Sequence, residues 1–232
     1  MNVDAASEIC KRICRAAMRA DRDPGDIKLI AVTKTVGIEA IKDAAALGFR
    51  IFGENRVQEA RRKIEEFAAV RDKEGYLGIE WHLIGHLQTN KAKYAAKLFD
   101  LIHTVDSVEL AEELDRQAEK AGKTQRVLVQ VKLSEEVTKQ GVSEEGLLPL
   151  LEKVRGLACL KLEGLMTIPP FFDDPEGARP YFRRLREIKE SAEQKGFHLP
   201  ELSMGMSVDF EAAILEGATM VRIGTALFGE RR

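Results

Sequence analysis

The sequence predicts a single closed (β/α)8 barrel, an α/β fold, with one extra helix ahead of it. Three observations predict it. Short apolar runs and helical patterns alternate through eight units in strict order, and such alternation builds a parallel sheet. Most of the runs are continuously apolar, as strands buried on both faces are. The length of 232 residues suits one α/β barrel, and no composition break or Pro/Gly-rich linker divides 1–232 into two domains. Eight units in that length favour a closed barrel over an open dinucleotide-binding sheet.

Residues 4–20 set Ile9, Ile13, Ala16 and Ala17 at helical spacing between Arg and Lys, an amphipathic helix for which Asp4 is the cap. Asp23-Pro24-Gly25-Asp26 is a turn. The first unit is a strand over 29–33 and a helix over 38–47, which Gly48 ends as a left-handed C-cap. A strand over 50–52 follows, with Gly53-Glu54-Asn55 as its loop and a helix over 57–67. The third unit pairs a strand over 80–84 with a helix over 89–98. In the fourth, a strand over 100–105 precedes a helix over 110–120 that Ser107 caps and Gly122 closes. Residues 126–131 and 143–154 form the fifth unit, and 160–165 and 175–194 the sixth. The seventh strand, 199–202, is weak, and its helix over 208–215 ends at Gly217. The eighth strand covers 219–223.

Bulk properties exclude several function classes. A hydrophobic fraction of 44% and a charged fraction of 32% are those of an ordinary globular protein. A net charge of −2 favours neither nucleic acid nor an anionic membrane as partner. No apolar window reaches the length of a membrane span, and the N-terminus carries no secretory pattern. Three cysteines, with Cys10 and Cys14 one helical turn apart, suggest reduced thiols in a cytoplasm and not a disulfide framework or a thiol metal site. No Walker loop, Rossmann glycine fingerprint or H-E-x-x-H motif occurs.

In a (β/α)8 barrel the site lies at the C-terminal ends of the strands. Lys34 stands there after the first strand. Partial desolvation lowers a lysine's pKa, and a neutral amine attacks an aldehyde to form an imine. The alternative is a lysine that leaves for solvent or pairs with Glu54. Gly224 and Thr225, after the eighth strand, can bring backbone amides to a phosphate, and Ser207 offers a hydroxyl in the seventh loop. An ordinary turn and an N-cap explain each loop separately; together they favour phosphate. Arg222 interrupts the last apolar strand and needs an acceptor, either an internal carboxylate or a ligand's ring nitrogen or anion. Asn55 is a ligand contact or the cap of the next helix. His82 is a pocket residue or a satisfied core histidine. His82 and His86 are four apart, but Gly85 separates strand from loop, so no metal site is expected. Met166 and Met204 suit packing, or the soft wall of a flat aromatic ligand.

The same loops resemble those of a known family. Ala31-Val32-Thr33-Lys34-Thr35, Phe52-Gly53-Glu54-Asn55-Arg56-Val57-Gln58-Glu59 and Trp81-His82-Leu83-Ile84-Gly85-His86-Leu87-Gln88-Thr89-Asn90-Lys91 are the first three. Gly164-Leu165-Met166-Thr167, Leu202-Ser203-Met204-Gly205-Met206-Ser207 and Val221-Arg222-Ile223-Gly224-Thr225 complete the set. In order and along nearly the whole chain they are similar to the pyridoxal phosphate homeostasis protein family, of the YggS/PROSC type. Many members carry proline soon after the lysine, where this chain has Val36-Gly37.

The resemblance implies a barrel like the alanine racemase N-terminal domain, in the fold type III class of pyridoxal phosphate proteins. It implies pyridoxal 5′-phosphate as cofactor, held as an aldimine on Lys34, with Arg222 at the pyridine nitrogen. Ser207, Gly224 and Thr225 would hold the phosphate, and Asn55, His82, Met166 and Met204 would line the pocket. The implied role is a cytoplasmic, monomeric carrier that buffers the cofactor and supplies it to pyridoxal-phosphate-dependent apo-enzymes. A small racemase or lyase is the alternative, and a phosphate-ester aldolase using Lys34 ranks third. Two points weigh against turnover. A cationic arginine at the ring nitrogen weakens the electron sink that carbanion chemistry needs. Racemisation also wants an acid/base on each face of the substrate, which the racemase completes from a second, β-rich domain that this sequence is not expected to carry. Tyr76, Tyr94 and Tyr181 are not placed to replace it.

Overall fold

Strands that are apolar on both faces need cover on both, and the chain provides it by closing the sheet on itself. The computed structural model describes residues 3–134, 136 and 140–229. Residues 1, 2 and 230–232, the outer limits of the expected domain, lie outside the described residues. The strands are β1 (Lys28–Val32), β2 (Ile51–Glu54), β3 (Glu80–Leu83), β4 (Leu101–Val105), β5 (Gln125–Gln130), β6 (Leu160–Met166), β7 (Glu201–Met206) and β8 (Met220–Ile223). Each pairs in parallel with the next, and β8 returns to β1 with Ile30 opposite Arg222, so the barrel is closed.

Helices wrap the outside: α1 (Val3–Arg19), α2 (Ile38–Ala46), α3 (Val57–Glu74), α4 (Ala92–Leu98), α5 (Val108–Lys120), α6 (Glu144–Arg155), α7 (Arg179–Glu193), α8 (Phe210–Leu215) and the short α9 (Thr225–Phe228). The predicted order of elements is the observed one. The extra helix α1 buries Ile9, Ile13, Ala16 and Ala17. It packs on α8 and α9, where Arg12 forks onto Glu211 at 2.8 and 3.2 Å and lies over the Phe210 ring. Among the described residues α1 already includes Val3, so Asp4 lies in its first turn and not ahead of it. Ser107 does cap α5, accepting from the Leu110 amide at 3.3 Å, and Gly48 takes the expected left-handed φ of 95°.

Other boundaries moved for physical reasons. β7 runs over Glu201–Met206, in place of the expected 199–202, because Ser203 and Gly205 look like loop although Ser203 pairs with both neighbouring strands and Gly205 lies within β7. α3 continues to Glu74 through a charged stretch, until Gly75 at φ 72° stops it. The segments expected as helix at 89–91 and 175–178 are single 3-10 turns that lead into α4 and α7.

Alternation along the strands separates two cores. Val221, Ile223, Leu202, Met204, Trp81 and Leu83 face outward into the layer under the helices. Ile30, Leu101, Leu128, Met166 and Met220 fill the barrel interior. Where strands approach most closely the chain uses glycine: a Cβ on Gly164 would stand 1.9 Å from the carbonyl oxygen of Glu201 on β7. Gly164→Ala is therefore expected to destabilise the barrel by about 2–3 kcal/mol, the scale of overpacking in a rigid core. Urea denaturation of variant and parent would measure it, and equal midpoints would contradict the packing described.

Candidate functional site

At the C-terminal mouth of the barrel lies a cavity of about 1050 Å3. Lys34, Asn55, Ser207, Arg222, Gly224 and Thr225 all line it, between apolar walls from Val32, Val36, Ile84, Ile168 and Met206. The structure thus brings six of the nine sequence-predicted residues together.

Lys34 follows β1 by two residues and is half-buried. The backbone on either side of it is held from α3. Lys63 Nζ donates to the Thr33 carbonyl at 2.5 Å, to Glu54 Oε1 at 2.8 Å and to Glu59 Oε1 at 2.6 Å. Glu59 Oε1 also accepts from the Thr35 amide at 2.6 Å. Thr35 has φ 63°, a strained conformation for a β-branched residue, and this clamp sustains it. Glu54, fully buried, takes Lys63 as its cation and accepts from the Thr33 hydroxyl at 2.6 Å. Burial pushes the Glu54 carboxyl up, against the pull of Lys63 and Thr33.

Arg222 is 3% exposed. Its Nη1 donates to Ser203 Oγ at 2.7 Å and its Nη2 to the Thr167 carbonyl at 2.9 Å. Among the described residues no carboxylate is within ion-pair distance of it, although Asp209 acts on it from farther away. Burial brings its pKa down to about 10, so it stays cationic at neutral pH. A guanidinium that is buried, charged and turned to a cavity calls for an acceptor or an anion there.

Ser207 does not start α8 as expected; Asp209 holds the cap position. Instead Ser207 Oγ accepts from the Gly224 amide at 3.3 Å, which ties the loops after β7 and β8 into one corner. β7 is irregular near its end at Gly205, φ 89°, where a Cβ would strike Phe210 and Ala213, and Asp209 Oδ1 accepts from the Met206 amide at 2.6 Å. In that corner Thr225 and Ala226 begin α9, where helix geometry leaves amides without intrahelical carbonyls. Asn55 does not cap α3: Arg56 occupies that position. Asn55 Oδ1 is buried without a partner, an acceptor open to a ligand's donor.

Three expected pocket residues lie elsewhere. Met204 shares the outward face of β7 with Leu202 and is covered by helices. Met166 is fully buried within the barrel, beneath the mouth. His82 is a satisfied core histidine: Nε2 faces Glu80 Oε2 at 3.1 Å and Nδ1 faces His103 Nε2 at 3.0 Å. Sequence reasoning also passed over Lys63, His103 and Ser203. The imidazole in the apolar run Leu101-Ile102-His103-Thr104-Val105 was the available signal for His103. Lys63, four residues after Glu59 on a charged helix, reads as a surface lysine.

The model of the alanine racemase N-terminal domain family matches residues 11–232. A pyridoxal phosphate homeostasis protein of Aquifex aeolicus is 47% identical over 97% of this chain and 96% of its own length. This chain belongs to the pyridoxal phosphate homeostasis protein family. The Escherichia coli K12 member is 40% identical over 97% of this chain and 94% of its own. PipY of Synechococcus elongatus, a structure with PLP bound, is 39% identical with a TM-score of 0.82 and covers 95% of this chain and 100% of that one. Alanine racemase of Clostridium difficile shares the fold at 18% identity and a TM-score of 0.74; this chain spans 58% of it. In this member of the pyridoxal phosphate homeostasis family, the clamp beneath Lys34 makes a measurable demand on stability. Lys63→Met leaves Glu54 buried without its cation and is expected to cost about 3–5 kcal/mol, whereas Lys63→Met with Glu54→Leu recovers most of that. Denaturant midpoints of the three proteins would check it.

Proposed function

We propose that the chain binds pyridoxal 5′-phosphate through Lys34 and stores or hands on the cofactor without turning over a substrate. One observation carries this reading: a single cavity joins the half-buried amine of Lys34, the buried Arg222 that no carboxylate among the described residues neutralises at contact, and the corner of Ser207, Gly224 and Thr225. The chemistry of that donor set fits the group. When bound, the cofactor supplies an aldehyde, an electron-withdrawing pyridine ring and a phosphate. Lys34 is the amine that condenses with the aldehyde. Arg222 donates to the ring nitrogen and, as a cation, keeps a proton off it. Ser207 and the amides of the corner receive the phosphate, and the unpartnered Asn55 Oδ1 takes a donor on the ligand.

Support for a carrier and not an enzyme comes from the lining. Among the described residues it holds two ionisable groups, Lys34 and Arg222, and no carboxylate, imidazole or phenol that would serve as a second acid/base. The Aquifex aeolicus and Escherichia coli relatives are called pyridoxal phosphate homeostasis proteins. We assign the chain to the cytoplasm, where Cys10, Cys14 and Cys159 remain free thiols, and to a monomer that supplies pyridoxal-phosphate-dependent apo-enzymes.

The test is borohydride reduction of the protein with pyridoxal phosphate, followed by peptide mapping. A pyridoxyl adduct on the Lys34 peptide, lost in Lys34→Ala, is the expected result. An adduct spread over surface lysines, or none, defeats the reading. A second assay follows the α-hydrogen of added amino acids in deuterated solvent. No exchange above the free cofactor's own rate is expected, and steady exchange that disappears in Lys34→Ala would make the protein an enzyme.

A further inference from the structure

Behind Arg222 a line of polar side chains crosses the barrel interior. Arg222 Nη1 donates to Ser203 Oγ at 2.7 Å. Ser203 Oγ lies 2.9 Å from His103 Nδ1. His103 Nε2 lies 3.0 Å from His82 Nδ1, and His82 Nε2 lies 3.1 Å from Glu80 Oε2. β4 and β7 are not neighbours in the sheet, so the contact between His103 and Ser203 spans the inside of the barrel. Glu80 opens β3, at the end of the barrel opposite the cavity, and Arg126 Nη1 donates to the same oxygen at 2.8 Å. Ser203, His103 and His82 are fully buried.

With both imidazoles neutral, the ionised end at Glu80 fixes the direction of every bond in the line. A guanidinium only donates, and an ionised carboxylate only accepts. Hydrogen bonds from His82 and Arg126 hold the Glu80 carboxyl down at about 2, so it is ionised at neutral pH. His82 must then present Nε2–H to Glu80 and leave Nδ1 as an acceptor. His103 must donate from Nε2 and accept at Nδ1. The Ser203 hydroxyl must donate to that Nδ1 and turn its lone pairs to Arg222. Both imidazoles are neutral in this arrangement, and burial lowers the pKa of both, that of His103 strongly. Every dipole in the line points its negative end at Arg222, and aligned hydrogen bonds strengthen one another.

We propose that Glu80, His82, His103 and Ser203 form a one-way hydrogen-bond chain that transmits the carboxylate charge of Glu80 through the barrel to Arg222. Glu80 is thereby a positioning residue for a ligand it never touches. The chain compensates Arg222 from behind, where a carboxylate placed directly on the guanidinium would occupy donors that the cavity ligand needs. The effect on the ligand rests on the pyridoxal phosphate reading; the direction of the chain does not.

The experiment uses the full chain labelled with 15N-histidine, in which four histidines keep assignment simple. Long-range proton–nitrogen spectra at neutral pH should show His82 and His103 as neutral Nε2–H tautomers. An Nδ1–H tautomer at His103, or an imidazolium at either, overturns the proposal. In Glu80→Gln the amide can donate as well as accept, so His103 should lose its fixed tautomer. Pyridoxal phosphate should then bind about tenfold more weakly, the scale of one weakened hydrogen bond to a charged group. An unmoved His103 signal, or an affinity within about twofold of wild type, overturns the proposal. Ser203→Ala, which cuts the chain at its last link, should lower the affinity and leave both tautomers as they are; it also serves if Glu80→Gln does not fold. Glu201→Gln removes another interior carboxylate, bonded to Lys28 and Thr219 but off the chain, and should change neither readout. If it acts like Glu80→Gln, the effect is a general one of interior charge and the proposal fails. Wild-type protein that takes up no pyridoxal phosphate would refute the functional reading and the effect on the ligand, with the tautomers still deciding the chain.

Discussion

A guanidinium does not give up its charge inside a protein, so placing one within a closed barrel obliges the surrounding strands to supply acceptors. Arg222 imposes that demand here. It is met by a hydroxyl from β7 and a carbonyl just past β6, and behind the hydroxyl stand two imidazoles and a carboxylate from β4 and β3. A ring of apolar side chains would have filled the interior at lower cost in desolvation. The polar line leaves the guanidinium charged at the cavity floor.

The second basic group of the site is organised differently. Lys34 lies beyond the end of its strand, and α3 positions it from outside by gripping the backbone on both sides of it. One basic group is thus fixed from within the barrel and the other from the helix layer. With no acidic side chain in the described lining, the cavity is electropositive and suited to an anionic ligand rich in acceptors. The apolar walls of Val32, Val36, Ile84 and Ile168 suit a flat ring between those poles.

Much of this was legible in the sequence, and the limits have physical causes. The barrel was legible because a parallel strand buried on both faces must be apolar throughout, and most of these strands are. β7 was the weak one: its inward Ser203 serves the interior and Gly205 the irregularity near its end, so its composition resembles a loop. The loop residues that meet at the mouth were legible from their place after strands. Met204 was not, because strand parity decides which way a side chain points and the true extent of β7 was hidden. His82 and Lys63 show the other limit. A histidine or a lysine has the same letter whether it meets a ligand, water or another buried group, and only the third dimension supplies its partner.

The seam between β1 and β8 has a consequence in time. Lys34 is made well before Arg222, Gly224 and Thr225, yet all face one another across the strand pair that closes the barrel. A nascent chain on the ribosome owns half a site until its last strand emerges. A molecule in which both halves of this mouth face one cavity has therefore already closed its barrel at the β1–β8 seam.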